Sequence, residues 1–595
     1  MQQKKHRADS NEVIIYDNDR RVWLHFVDPV ETAVAHSHDD VISSLEHVER
    51  MVGEKGLHAA GFVSYEASPA FDYALDTHDS SGFPLVWFGL YRNASLCILP
   101  DTNTDDMNPF QWKPTLSRQE YDRMFKQIQT YIGNGHAYQI NYTYRLRSPF
   151  NGCPRDYFTA TASLTPYPYS SYVNTGEYAL CCFSPELFFK LEGNRITCRP
   201  MKGTAPRGTT NAADRSSAAE LACSEKDRAE NVMIVDMIRN DLGRIATVGS
   251  VRVQSLWDIE KYSTVWDIEK YSTVWHMTST VTAETTASVC GIFRALFPCA
   301  SVTGAPKPRT MQIIKESEPH PRHVYTGSIG YIAPHRYARF NVAIRTVIVD
   351  VRRKEAEYGT GGGIVWDSTN DGEYGESILK ARLVTSSQQR FHLLETLQWS
   401  EADGYFLMER HLRRLDKSAD YFQIPVSINE IKSLLELKAK SFTGKNRRVR
   451  LLVSRSGDAV CEDFPLDHET DAKPLTVCVA QEPVDSSSPF LYHKTTCRGV
   501  YEKARLNATS CDDVILYNER GEITETTIAN IVVALNGRLF TPAVECGLLA
   551  GTYRSELLEN GILEEKVIHM DELKQCRAIY LINSVRKWMP ANLIE

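Results

Sequence analysis

Five residues past the middle of the chain, Thr385-Ser-Ser-Gln-Gln389, carry no hydrophobic period of either kind and stand between two long stretches that do. A helix or strand needs an apolar face to bury, so a polar, unpatterned interval between patterned ones reads as a linker, placed here at residues 385–390. With 595 residues in all, the piece after it, 391–595, has room for one or two compact units of about 100–200 residues. Before the linker, short strands such as Glu12–Tyr16, Arg21–Phe26 and Leu85–Leu90 dominate residues 1–115, and residues 116–384 mix strands with helical patterns at Arg118–Gly133, Ala218–Ile245 and Asp371–Ser387. After it, Tyr405–Phe422 and Ile428–Ser441 read as helices and Arg448–Ser454 and Leu475–Ala480 as strands.

The charge balance narrows the partners. There are 67 Lys and Arg against 75 Asp and Glu, a net charge of −8, with no sustained basic block. Nucleic acid and anionic membrane surfaces are therefore not expected partners. No run of about 18 apolar residues and no signal-like segment is present, which predicts a cytoplasmic chain without a membrane span. The 14 cysteines form no CxxC pair, so reduced thiols are expected rather than a zinc site or a disulfide framework. Trp257–Val265 (WDIEKYSTV) recurs without a mismatch as Trp266–Val274. Nine is an odd number and would swap the faces of any strand holding both copies, so one copy is expected to loop out.

Asp227 and Glu230 are three residues apart in a helical pattern, as are Glu373 and Glu376, with Lys380 four further on. Each pair projects from one helix face, and two such pairs brought together would make a hard-oxygen site of the kind Mg²⁺ takes. On their own these are more often solvated helix faces. Lys202, in Pro-Met-Lys-Gly-Thr, reads as a tight-turn lysine, and Gly359-Thr-Gly-Gly-Gly363 as a run after a strand whose backbone N–H groups could face an anion.

The longer strings carry a resemblance. Ser184-Pro-Glu186, Arg199-Pro-Met-Lys-Gly-Thr204, the Asn231–Gly243 segment, Ser301-Val-Thr-Gly-Ala-Pro-Lys307, Tyr325-Thr-Gly-Ser-Ile-Gly-Tyr331 and Gly361-Gly-Gly-Ile-Val-Trp-Asp-Ser368 resemble the chorismate-utilising enzymes. The resemblance implies an α+β fold of large antiparallel sheets flanked by helices. It implies Mg²⁺ held by Glu230 and Glu376, with Asp227 and Glu373 close by, and chorismate carboxylates held by Tyr325, Arg345, the Gly361–Gly363 backbone and Lys380. His276 corresponds to the histidine near the reacting ring, and Thr303 to a substrate-lining residue. Where water-using members have a basic lysine this chain has Gln139, which cannot accept a proton near neutral pH. Lys202 marks the aminodeoxychorismate synthase branch, in which the lysine amine adds to chorismate and Glu186 acts as the acid. No Gly-x-Cys-x-Gly elbow surrounds any cysteine, so ammonia is expected from a separate glutamine amidotransferase subunit.

Past the linker, His411-Leu-Arg-Arg-Leu415, Tyr492-His-Lys-Thr-Thr496, Gly521–Ile531 and Gly547–Arg554 together resemble the fold-type IV pyridoxal 5'-phosphate enzymes, in particular the aminodeoxychorismate lyase branch. This implies an α/β domain with Lys494 carrying the coenzyme and Glu525 at its ring nitrogen. Arg414, Asn530 and the Gly551-Thr552 helix start would hold its phosphate end. A homodimer through this domain is the implied assembly. The match begins at Leu394-Glu-Thr-Leu397, without the usual lead-in strand and Gly-Asp-Gly turn, and puts Thr396 at a position that assists proton transfer in relatives. The implied whole is a bifunctional enzyme from chorismate to 4-aminobenzoate and pyruvate. Anthranilate synthase component I, an amino-acid aminotransferase for the second half, and a non-catalytic docking domain are its rivals.

Overall fold

The computed structural model describes residues 11–100, 110–164, 167–262, 274–385, 391–466, 473–508 and 510–594. The chain forms two compact units, the first holding most of the residues up to 388 and the second residues 389–595. The second copy of the nine-residue repeat lies outside the described residues, apart from Val274; the first runs along the strand Arg252–Tyr262 as far as Tyr262. The linker residues 386–390 are likewise outside them.

The first unit stacks two ten-stranded sheets. Alternation along single strands shows why. In Glu12–Asp17, Val13 and Ile15 enter the core between the sheets with Phe26, Phe62 and Leu180, while Ile14 points into a second core on the outer face. A strand apolar on both faces has to be covered on both. Helices do the covering. Arg118–Gly133 lays Tyr121, Phe125, Ile128 and Ile132 on one sheet, its start fixed by a Ser117/Glu120 capping box. His38–Lys55, Glu225–Gly243 and Val289–Leu296 cover the other. Residues 12–97 supply strands to both sheets, so the amino-terminal part and the rest share one fold. The 18-residue helix His38–Lys55 falls where short strands were expected, and Lys307–Ser317 is a second helix in a stretch that reads as strands and turns.

The second unit has a four-stranded antiparallel sheet, ordered Gly404–Tyr405, Leu393–Ser400, Asn446–Val453, Ala459–Pro465, and an eight-stranded mixed sheet. In the latter, Leu475–Val479 pairs in parallel with both Asp513–Tyr517 and Lys587–Leu593. Cys478 and Cys511 are joined as a disulfide, against the expectation of reduced thiols throughout. Cys478 lies on Leu475–Val479 and Cys511 just before the neighbouring strand Asp513–Tyr517, with Cα atoms 6.1 Å apart, a separation that a bridge can span. No helix among the described residues is long and apolar enough to cross a membrane.

Candidate active sites

Each unit holds a cavity lined by chemically active side chains. The one in the first unit, about 370 Å³, is lined by Glu186, Lys202, Asp227, Glu230, His276, Tyr325, Arg345, Gly361, Gly363, Glu373, Glu376 and Lys380. Residues spread over 195 positions of sequence are thus gathered by the two sheets and the helices Glu225–Gly243 and Asn370–Thr385.

The glycine run does not follow a strand; it is the far half of the strand Glu355–Ile364, paired residue by residue with Gln139–Pro149. Its glycines serve close approach. A Cβ at Gly359 would collide with the Tyr325 ring, and one at Gly363 would stand 2.6 Å from both Lys202 Nζ and Gln139 Nε2. Lys202 likewise is not in a turn. It lies on the strand Met201–Pro206, whose register with Val274–Glu284 shifts between Met201 and Thr204, with Gly203 at φ +92°. A bulge of this kind re-aims a side chain out of the sheet's alternation. Three expected residues are not among those that line the cavity, and the first, Gln139, is fully buried with its side-chain amide unpartnered among the described residues. Thr303 is fully buried, its hydroxyl bonded to the Cys299 carbonyl at 3.1 Å, while Ser301 takes the lining position. Gly362 faces Glu373 Oε2 instead of the cavity.

Three groups give this cavity its chemistry. Burial pushes the Glu186 carboxyl up to about 7, against the pull of the Ser301 hydroxyl that donates to it at 2.7 Å, of a backbone N–H, and of Lys202 and Lys380. His276 is held far below its ordinary value by burial and by the Arg345 guanidinium, which donates to Nε2 at 3.2 Å and leaves Nδ1 to the Thr204 hydroxyl at 3.3 Å. It is therefore a neutral imidazole. Arg345 sits at φ +53° with Nη1 unpartnered among the described residues, a held guanidinium with a donor to spare for a carboxylate.

At the acidic end, burial raises Glu230 and, joined by repulsion from Glu376, Glu373, whose Oε2 is buried without a partner among the described residues. Lys380 keeps Glu376 low through a 2.8 Å ion pair and also donates to the Gly361 carbonyl at 3.0 Å. Asp227 bonds Ser224, the residue that caps its helix. Among the described residues no three acidic, histidine or cysteine side chains already converge as metal ligands. The donor set of crowded carboxylates with an orphaned oxygen nonetheless fits a hard divalent cation, which would relieve both the repulsion and the unpaired atom.

The second unit's cavity, about 410 Å³, gathers Thr396, Arg414, Lys494, Glu525, Asn530, Gly551 and Thr552. Burial, and then the Arg414 charge, lower Lys494 to about 8. Burial raises Glu525 to about 7 despite bonds from Tyr501 Oη at 2.8 Å and Leu549 N at 3.2 Å, and Asn530 Nδ2 lies 3.3 Å away. Gly551 caps the helix Thr552–Glu559, and a side chain there would run into Asn530. Burial works against a charged Glu395, but Arg414 and His411 hold it down to about 2. Arg414 spends three bonds on Glu395 and the Ala550 carbonyl, which leaves two of a guanidinium's five donors for an anion. A soft lysine, a buried carboxylate across from it and a helix start beside an arginine fit pyridoxal phosphate. Arg448, Arg450, Arg498 and Arg586, which no motif in the sequence singles out, also line this cavity. The Arg447-Arg-Val-Arg450 alternation on a strand was the available signal.

With this geometry in place, residues 9–386 match the chorismate binding enzyme family and residues 392–594 the class IV amino-transferase family. The first match takes in more than half of the chain, which belongs to the chorismate binding enzymes. Aminodeoxychorismate synthase component 1 of Salmonella typhimurium is 38% identical over 275 residues, 46% of this chain and 58% of that protein. The protein of the same name from Bacillus subtilis is 37% identical over 291 residues, 48% of this chain and 60% of that one. Anthranilate synthase component 1 of Aquifex aeolicus is 36% identical over 273 residues, 46% of this chain and 53% of that one. This chain therefore spans less than two thirds of the curated relatives it matches. Anthranilate synthase component I from Streptococcus pneumoniae shares the fold of the first unit, with a TM-score of 0.52 at 23% identity over 64% of this chain and 95% of that one.

Proposed function

We propose that the first cavity aminates chorismate to 4-amino-4-deoxychorismate and that the second cleaves this product to 4-aminobenzoate and pyruvate. The observation that carries the reading is Lys202 in one cavity with Glu186, whose raised value keeps a proton available near pH 7. The Lys202 amine attacks C2 of the ring as both ring double bonds shift, C1=C2 to C1=C6 and C5=C6 to C4=C5, and the C4 hydroxyl leaves, taking the Glu186 proton. Ammonia then attacks C4, the double bonds return, and the C2–N bond to Lys202 breaks. Gln139 beside Lys202 has no basic atom to activate water in ammonia's place. Arg345 and Tyr325 orient the side-chain carboxylate, and neutral His276 keeps the Arg345 fork aimed. Mg²⁺ held by Glu230 and Glu376, with Asp227 and Glu373 nearby, would supply positive charge at the ring carboxylate.

In the second unit Lys494, Glu525, Asn530, Arg414, Gly551 and Thr552 would hold pyridoxal phosphate, which supplies an electron sink. Lys494 takes the C4 proton, with Thr396 in the same cavity, as the C3–O bond breaks and the ring becomes aromatic; the departing enolpyruvate takes up a proton at its methylene carbon to become pyruvate. Ammonia would come from a glutamine amidotransferase partner.

Purified chain incubated with chorismate, ammonium, Mg²⁺ and pyridoxal phosphate tests this. 4-Aminobenzoate with pyruvate supports both halves, accumulated aminodeoxychorismate removes the second, and anthranilate overturns the role of Lys202. Glutamine should replace ammonium only after a glutaminase is added.

A further inference from the structure

The cavity around Lys494 carries more positive charge than a coenzyme site needs. Arg414, Arg448, Arg450, Arg498 and Arg586 line it with Lys494, and Glu525 is the one carboxylate among its described lining residues. Two of these arginines are engaged: Arg414 with Glu395, and Arg498 with the Thr527 carbonyl and the Tyr501 ring. The other three are not held by a buried carboxylate among the described residues. Arg448 rests on the Phe464 ring at 4.9 Å, and neither it nor Arg586 pairs with a carboxylate among the described residues. Arg450 meets Glu462 at 3.4 Å with the two side chains 38% and 43% exposed, an ion pair of little strength in water.

Strand geometry sets their distance from Lys494. Leu394 N donates to the Lys494 carbonyl at 3.0 Å, which docks the strand Leu393–Ser400 beside the lysine. On the neighbouring strand Arg450 stands opposite Thr396 and Arg448 opposite Gln398, while Val449 and Leu451 turn into the core. The two arginines thus lie on one face, about one and two strand repeats of roughly 7 Å from the Lys494 row. Ser584 Oγ donates to the Thr396 carbonyl at 3.4 Å and brings the turn that holds Arg586 to the same row.

We propose that these three arginines make the cavity selective for a small dicarboxylate whose reacting centre sits at Lys494. Arg450 holds one carboxylate at about the reach of a six-membered ring, and Arg448 and Arg586 at the mouth hold the other. This rests on the cleavage reading above, because 4-amino-4-deoxychorismate carries two carboxylates. An amino acid with an apolar side chain would leave one of the two cationic positions without an anion.

The test uses the full chain loaded with pyridoxal phosphate and titrated with isophthalate, benzoate or inorganic phosphate. It is read in the absorbance and circular dichroism of the coenzyme, which report only on the Lys494 cavity. Isophthalate should bind about tenfold tighter than either competitor, a factor within reach of one added charge-assisted contact. The preference should shrink to about twofold in Arg450→Leu and Arg586→Met and partly return in Arg450→Lys and Arg586→Lys. Equal binding of isophthalate and benzoate, a preference untouched in both variants, or tightest binding of phosphate would overturn the proposal. Pyruvate release from aminodeoxychorismate separates the two readings. A preference that depends on the arginines without pyruvate sinks cleavage alone; pyruvate without the preference sinks the arginine assignment alone. A chain that takes up no coenzyme overturns both.

Discussion

The two cavities use the same pair of groups in opposite surroundings. Each sets a lysine in one cavity with a carboxyl that burial raises to about 7: Lys202 with Glu186 in the first, Lys494 with Glu525 in the second. Around Lys202 stand Asp227, Glu230, Glu373 and Glu376; around Lys494 stand five arginines. Desolvation favours the neutral form of any lysine, and neighbouring charge decides how far that goes. In the arginine-lined cavity the two effects add, and Lys494 falls to about 8. In the other cavity the charges facing the lysine are of the opposite sign, and a bound cation would neutralise them. A lysine's fitness for covalent chemistry is thus a property of the wall facing it.

The sharpest break of the comparison exchanges the two lysines' losses. Lys202→Ala should lower amination by on the order of 10⁴-fold or more while supplied aminodeoxychorismate is still cleaved. Lys494→Ala should abolish the coenzyme absorbance and pyruvate release, and leave aminodeoxychorismate accumulating from chorismate. If either variant stops both reactions, the cavities are not independent. Glu186→Gln comes next, with a loss of about 10²–10⁴-fold in amination for a general acid. Its signature is the pH profile. Glu186 must be protonated to donate, and its value is raised to about 7 by burial, so amination should fall as pH rises through about 7 and this limb should vanish in the glutamine variant. The second unit should behave in the opposite sense. Uptake of pyridoxal phosphate by the unloaded chain needs the neutral amine and should quicken as pH rises toward about 8.

Gly363→Ala sharpens the geometry. Its methyl would stand 2.6 Å from Lys202 Nζ and from Gln139 Nε2, and a displacement of about 1 Å at a reacting group costs about 10²-fold. Steady-state amination should drop by that order, with coenzyme binding in the second unit unmoved. A drop in both would mean that the substitution unfolds the chain.

How legible these features were in the sequence depended on whether they are local. Asp227 with Glu230 and Glu373 with Glu376 were visible as helical pairs because helix spacing is written along the chain. The capped helix Arg118–Gly133 was visible for the same reason. Val41, Leu45, Val48 and Val52 carry the same kind of period, yet His38–Lys55 was lost among the strands around it. The bulge that aims Lys202 depends on a partner strand more than 70 residues away, and the Gly359–Gly363 strand on Gln139–Pro149, more than 200 residues earlier. Neither pairing leaves a local mark. Thr303 and Ser301 are two residues apart, and a motif match cannot tell which hydroxyl faces the cavity. Arg448 and Arg450 went unread because an Arg-x-Arg alternation looks like a solvated strand face until the fold shows what it faces.

The smallest expected effect tests how the carboxylate wall is held. Ser224 caps the helix Glu225–Gly243 by accepting from the Asp227 backbone N–H, and its hydroxyl also donates to the Asp227 carboxylate. Losing a serine N-cap costs about 1 kcal/mol, which thermal or denaturant unfolding of the first unit would register. Asp227 would lose its local partner at the same time. If it touches the cation only through water, Ser224→Ala should weaken the dependence of amination on Mg²⁺ by about 10-fold, the lower end of losses for outer-sphere partners, and Asp227→Asn should do the same. Unchanged Mg²⁺ dependence in both would place the cation wholly on Glu230, Glu373 and Glu376, and would leave Asp227 as a helix-end carboxylate that serves the N-terminal dipole.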